Sequence, residues 1–348
     1  MPAAPDFSPS TDRPQIVVVA GMHRSGTSLA AEILVRLGAW TRSRLLEGNE
    51  YNPRGYWEDA DLVDLNDRIL TALDRPWGGT RAALPMPRDW LSDPALAPLK
   101  AELEAFLRAG LEAAGGTPWM VKDPRICRLM PLWRQVADDA GLRLAAVLTV
   151  RSPDAVAASL ARRDRFPDAF GRLLWLVNSI DLLAGSGDLV EACITYDQWF
   201  SDAPAQVLVL ARVAGLDGPH LDPGAVAAEI VSDTLRHHEA GAGNALADRL
   251  YRELETWAKQ GSRPPALDGM VDLVAATLAE AAPALADLND PAFIRESLEA
   301  KLAEYQQAYQ RAATRYDEMK VQTDDLKSLL WRFERPLRFI RSVRRSLR

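Results

Sequence analysis

The chain has 348 residues, 48% of them apolar and 26% charged, a balance that excludes a disordered or membrane-embedded chain and allows one large α/β domain with an appendage. Two cysteines, Cys127 and Cys193, stand too far apart for a C-x-x-C site and only four histidines are present, so neither a disulfide framework nor a zinc site is expected, and a reducing compartment fits. Net charge is −7, but Trp331 to Arg348 carries seven arginines against Glu334 alone, which leaves about −13 on an acidic body with a basic tail.

In chain order, residues 1–14 read as a disordered leader without the charged-then-apolar order of a signal peptide. No later run reaches transmembrane length, so a cytoplasmic protein is expected. Ile16 to Ala20 is a β-branched run that predicts a buried strand, followed by a Gly/Ser loop and a helix from about Thr27 to Leu37. Leu91 to Ala114 is Ala/Leu-rich and predicts a helix. Trp119 to Val121 predicts a second strand before a helix near Leu129 to Ala140, and Leu144 to Val150 a third before a helix near Pro153 to Arg162. Helices are expected over Asp168 to Leu183 and Asn244 to Ala258, with Trp175 packed in the core, and Ala192 to Thr195 is the fourth strand. Strands alternating with helices predict an α/β fold, a P-loop-like parallel sheet covered by helices on both faces, spanning residues 15–288. Its ligands should gather beyond the carboxyl ends of the strands. No internal repeat is visible.

The chemistry concentrates in the loop after the first strand, Gly21-Met22-His23-Arg24-Ser25-Gly26-Thr27-Ser28. It matches the phosphate loop G-x-x-x-x-G-K-[ST] except that Thr27 stands where lysine belongs. Small residues let backbone N–H groups curl around an anion, and the following helix adds about half a unit of positive charge at its N-terminus. An ATPase needs the loop lysine and an acidic residue for magnesium at a neighbouring strand end. Here the third strand ends in Arg151. A donor with a 5′-phosphate and a singly charged sulfuryl group asks only for backbone donors, hydroxyls and cations, which Arg24, Thr27 and Ser28 supply.

Gly21 to Ser28 resembles the 5′-phosphosulfate loop of the sulfotransferase superfamily, in the Arg-Ser-Gly-Thr form of tyrosylprotein sulfotransferases and many bacterial carbohydrate sulfotransferases. Arg151-Ser152-Pro153, with Ser159, resembles that family's 3′-phosphate motif. Lys122-Asp123-Pro124-Arg125 resembles the Lys-Asp-Pro segment of the tyrosylprotein enzymes, and Tyr196-Asp197 a later landmark; the likeness spans about Pro14 to Leu216. It implies a sulfotransferase that uses 3′-phosphoadenosine 5′-phosphosulfate without a required metal. His23, Arg24, Ser25, Gly26, Thr27 and Ser28 would then hold the 5′-phosphosulfate, Arg151 and Ser159 the 3′-phosphate, and Lys122 the departing group. Asp123 could instead cap the helix that follows it.

Sulfuryl transfer parallels phosphoryl transfer, so Arg24 and Lys122 are expected to steady charge on the leaving phosphate. Glu58, in Asn52-Pro53-Arg54-Gly55-Tyr56-Trp57-Glu58, is the candidate general base, by comparison with a glutamate of the tyrosylprotein enzymes. A helix N-terminal glutamate, the adjacent Asp59, and the pair His237 and His238 are its rivals. The expected acceptor is a hydroxylated molecule, a carbohydrate before a peptide tyrosine or small metabolite, and no nucleic-acid partner is expected. A P-loop kinase and a non-catalytic scaffold are the competing functions.

From Leu302 through Tyr305, Tyr309, Ala312, Tyr316, Met319, Thr323, Leu326, Leu330 and Phe333 the steps alternate three and four. Residues 291–333 therefore predict a coiled-coil helix, either a homodimer seam or a segment folded back on its own domain. In residues 334–348, Leu337, Ile340 and Leu347 share one helical face and Arg338, Arg341, Arg345 and Arg348 another, which suits peripheral contact with an anionic membrane on its inner face. A solvated tail or a protein-binding site is the alternative.

Overall fold

The computed structural model describes residues 15–50, 52–87, 89–231 and 245–287, together with Arg311 and Thr314. The leader 1–14, the pair His237 and His238, nearly all of the coiled-coil segment and the whole basic tail lie outside the described residues. Contacts divide the chain into Met1–Asp290 and Pro291–Arg348, and the site lies in the first unit.

The elements run β1 (Ile16–Ala20), α1 (Thr27–Arg36), α2 (Ala60–Ala72), α3 (Ala97–Ala114), β2 (Trp119–Lys122), α4 (Ile126–Ala140), β3 (Leu144–Val150) and α5 (Pro153–Asp164). They continue with α6 (Asp168–Ser186), β4 (Val190–Thr195), α7 (Gln198–Ser201), α8 (Ala203–Val213), α9 (Pro223–Ile230), α10 (Ala245–Gln260) and α11 (Pro265–Asp287). The expected single helix over Leu91 to Ala114 is instead two 3-10 turns, Trp90–Ser92 and Pro94–Leu96, before α3. Pro94 and Pro98 explain the difference, since proline lacks an N–H and suits only a first helical turn. Helix α4 starts about a turn earlier than expected and runs through Pro131.

The four strands form one parallel sheet in the order β2-β1-β3-β4. This is the expected α/β fold with a P-loop-like parallel sheet between helical layers. The two layers follow from alternation along β1. Ile16, Val18 and Ala20 join a cluster with Leu65 and Ile69 of α2, Leu103 of α3, Trp133 of α4 and Trp175 of α6. Val17 and Val19 face the other way, against Ile33 and Leu34 of α1, Val207 and Leu210 of α8 and Ile230 of α9. Each such apolar side chain contributes roughly 1.5–3 kcal/mol on burial, so β1, buried along its whole length, is fixed from both sides. The edge of β2 is covered by Trp40, whose N–H donates to Pro118 O at 2.8 Å and whose carbonyl accepts from Met120 N at 2.8 Å.

Because β2 and β3 flank β1 on opposite sides, the crossing direction reverses at β1. The crevice beyond its carboxyl end is the topological switch point, where ligands of such sheets bind. No described helix is long and apolar enough to cross a membrane.

Candidate active site

The turn out of β1 can be made only by glycine. Gly21 has φ +149°, and a Cβ there would stand 2.3 Å from the Thr149 carbonyl oxygen of β3. Its N–H donates to Cys127 Sγ at 3.3 Å, a thiol that burial pushes up to about 12. Gly26, at φ +92°, precedes α1, and a Cβ there would stand 2.8 Å from the Tyr196 ring. Between them Arg24 is also left-handed, at φ +70°, a conformation rare outside glycine and concentrated at functional sites. The N-terminus of α1 has neither a side-chain cap nor an acid in its first turn, so the helix dipole there is uncompensated. The Ser25 hydroxyl, in a residue 1% exposed, and His23 Nε2 have no hydrogen-bond partner among the described residues. Unpaired buried polar atoms at a bare helix N-terminus suit a phosphate group.

Lys122 reaches the same loop from the end of β2. Its Nζ lies 3.4 Å from Ser28 Oγ, donates to Tyr56 O at 2.9 Å, and pairs with Glu58 Oε1 at 2.5 Å. Both partners are buried, Glu58 to 5% and Lys122 to 3% exposure. Asn52 fastens the intervening loop to the phosphate loop by donating to Ser28 Oγ at 3.1 Å and Gly55 O at 2.7 Å. Glu58 directly precedes the N-cap of α2, and its carboxylate is turned to Lys122. Asp59 caps α2, accepting from Asp61 N and Leu62 N, and is paired with Arg42 at 2.8 Å. A carboxylate so committed is poorly placed as the base. Asp123 does not cap α4, whose N-cap is Arg125 without a side-chain cap; it accepts from Arg125 N at 3.0 Å, from Asn66 Nδ2 at 2.9 Å and from Arg125 Nη1 at 3.0 Å.

On the β3 side Arg151 is buried with its guanidinium 4.4 Å from the centre of the Tyr196 ring. Its carbonyl accepts from Trp175 Nε1 at 3.0 Å, so the core tryptophan also anchors the site. Ser152 caps α5 by accepting from Ala155 N. Ser159, two turns along that helix, accepts from Arg24 Nε at 2.9 Å, which joins the loop after β1 to the helix after β3. A hydroxyl that accepts keeps its own proton to donate.

Of the expected site residues, His23, Arg24, Gly26, Thr27, Ser28, Glu58, Lys122 and Arg151 line a cleft of about 630 Å³, whereas Ser25 and Ser159 are not in its lining. Arg163 and Tyr196, beyond the site residues expected from the sequence, line it as well. Arg163 follows Ser159 by one helical turn and so shares its face, a signal that was available. It pairs with Asp164 at 2.7 Å. Burial, then Arg163 and Arg151, lower the Arg24 pKa, with Tyr56 and Asp164 opposing. His23 stacks on Trp77 with centroids 4.0 Å apart. Burial first, then Arg163, Arg125, Lys122 and Arg24, hold its pKa well below 6.5, so its imidazole is neutral at physiological pH. An acidic protein thus presents a cleft rich in cations, which focuses its field on an anion. Among the described residues no group of three His, Cys, Asp or Glu could hold a metal ion.

No family model and no curated protein matches this chain. Among solved structures, the sulfotransferase domain from the Synechococcus PCC 7002 olefin synthase is similar at 16% identity, over 78% of this chain and 98% of that one, with a TM-score of 0.37. So distant a likeness leaves the reading of the site to its own residues.

Proposed function

We propose that this protein is a sulfotransferase that moves the sulfuryl group of 3′-phosphoadenosine 5′-phosphosulfate to a hydroxyl of a carbohydrate or glycolipid. The observation that carries the reading is the origin of the cation at the phosphate loop. Thr27 fills the position of the usual loop lysine, and Lys122 comes instead from β2, next to Ser28 and paired with Glu58. The end of β3, where a nucleoside triphosphatase needs an acid for magnesium, carries Arg151. Cations on both sides of the switch point suit a donor with phosphates at both ends of its ribose. The acceptor assignment rests on the resemblance of the motifs to bacterial carbohydrate enzymes.

In the reaction the acceptor oxygen attacks sulfur in line, and the bond from sulfur to the bridging oxygen breaks. The electron pair stays on the 5′-phosphate, and the acceptor proton passes to Glu58. Lys122 and Arg24 stabilise the leaving phosphate, with the N–H groups of the loop acting as an oxyanion hole. Arg151 and Ser159 hold the 3′-phosphate at a distance from the sulfur.

The test is thermal stabilisation by adenosine 3′,5′-bisphosphate, the product nucleotide, against ATP with magnesium, followed by a labelled-sulfate acceptor screen. The bisphosphate should stabilise more. A larger shift with ATP and magnesium would favour a kinase. With an acceptor in hand, Glu58→Gln should lower turnover by roughly 10² to 10⁴.

A further inference from the structure

Glu58 and Lys122 have separate tasks in the proposed reaction, yet in this structure they are bound to each other. A carboxylate held by an ammonium at 2.5 Å is a poor proton acceptor, and an ammonium so neutralised is a poor partner for a leaving phosphate. Both are buried, so separating them without new partners leaves two uncompensated charges away from water, which is strongly unfavourable. The donor brings its own anion to Lys122. Glu58 then needs a second cation.

Arg125 stands ready for it. Its Nη1 is 3.8 Å from Glu58 Oε2, the oxygen that Lys122 does not hold. Nε donates to Asp67 Oδ1 at 2.6 Å and Nη1 to Asp123 Oδ1 at 3.0 Å. Asp123 is itself fixed by Asn66. Burial opposes the charge on Arg125, but Asp123 and Asp67 outweigh it and hold the guanidinium charged. Its fork geometry lets it keep these partners while accepting another carboxylate, which a lysine could not do.

The geometry points to Arg125 as a positioning residue that takes over Glu58 when donor binding draws Lys122 to the phosphosulfate. This inference rests on the proposed function and adds an order to it. In the donor complex Glu58 then has Oε2 on Arg125 and Oε1, the oxygen that Lys122 leaves, open to the acceptor hydroxyl, so the base is exposed only when a sulfuryl group is in place. Glu58 is, in effect, an internal competitor for the anion subsite at Lys122, and Arg125 weakens that competition.

Calorimetric titration of the full-length protein with adenosine 3′,5′-bisphosphate tests this through a double-mutant cycle. Glu58→Gln removes the competitor and should tighten binding about tenfold, within the usual range of coupling between sites. Arg125→Gln leaves Glu58 dependent on Lys122 and should weaken binding several-fold. In the Glu58→Gln background, Arg125→Gln should have no further effect, an outcome that general damage to the fold would not produce. If Arg125→Gln does not fold, Arg125→Lys keeps the charge beside Asp123, loses the reach to Glu58 and should give the same pattern at smaller amplitude. Unchanged or weaker binding by Glu58→Gln, or an Arg125 effect that persists without Glu58, overturns the exchange while leaving the donor assignment standing. Failure of the wild type to bind the bisphosphate removes that assignment and the exchange with it.

Discussion

Substitution of Gly21 by alanine tests whether the phosphate loop is locked by its junction with the sheet. The new Cβ would lie 2.3 Å from Thr149 O and 2.7 Å from Thr149 Oγ1. An unstrained carbon-to-oxygen contact is about 3.4 Å, so the loop or β3 must move by about 1 Å. Neither is free to move: β3 is hydrogen-bonded to β1 and β4, and Thr149 is buried. A side chain at φ +149° adds about 1–3 kcal/mol of backbone strain, and overpacking against fixed atoms adds about 1–3 kcal/mol. The expected loss is therefore about 2–6 kcal/mol, a large share of the roughly 5–15 kcal/mol that holds a domain folded. Gly141→Ala is the control. It has φ +67° at the end of α4 with no atom of the described residues within 4 Å of its new Cβ, so it should cost only the left-handed penalty of about 1–2 kcal/mol. Urea unfolding followed by tryptophan fluorescence measures both, and nucleotide titration measures the damage to the loop. If Gly21→Ala falls within about 0.5 kcal/mol of Gly141→Ala, a difference typical of surface changes, the steric argument is wrong.

Arg151→Ala should weaken binding of the bisphosphate by at least about tenfold, the loss of one charge-assisted contact, while turnover at saturating donor stays near that of the wild type; a loss confined to turnover would refute its distance from the chemistry. The lowered pKa of His23 predicts acid sensitivity. Between that lowered value and 6.5 the unfolded chain binds a proton that the folded one does not, so stability falls as pH drops below 6.5. His23→Phe should flatten that fall in urea midpoints compared across pH 6.5, and an unchanged slope would mean that the imidazole is not neutral in the fold. Truncation after Leu330 should abolish sedimentation with anionic vesicles and leave turnover on a soluble acceptor intact, because a body near −13 is repelled by anionic lipid and attachment must come through the last eighteen residues. Salt should weaken the full-length interaction, and equal binding by both forms would leave the tail as an assembly or partner segment.

The strands and the phosphate loop were legible in the sequence because their signals are local. Ile16 to Ala20 is apolar throughout because it is buried on both faces, and the glycines at 21 and 26 mark backbone that other residues cannot adopt. Lys122 and Arg151 could be located because strand ends in a parallel sheet point to a common edge, and Ser159 because it lies two turns on from Ser152 along α5. Local signals also misled. Composition alone predicts one helix over Leu91 to Ala114, although Pro94 and Pro98 confine the α-helix to Ala97–Ala114, and the register of α5 places Arg163 on the face of Ser159.

What the residues by themselves determined was the pattern of the site: a glycine turn of phosphate-loop spacing without its lysine, with an arginine and a lysine at neighbouring strand ends. The tertiary structure decided how those groups are paired. Glu58 and Lys122 are 64 residues apart in the chain, and nothing in their local patterns says that one neutralises the other or that Arg125 waits beside them. Nor could spacing tell that Asp59, not Glu58, would cap α2. Such pairings follow from the strand order, which brings β2 beside β1 and folds the loop before α2 over both. They are long-range consequences of packing, and a charge acquires its partner only when the sheet has closed around it.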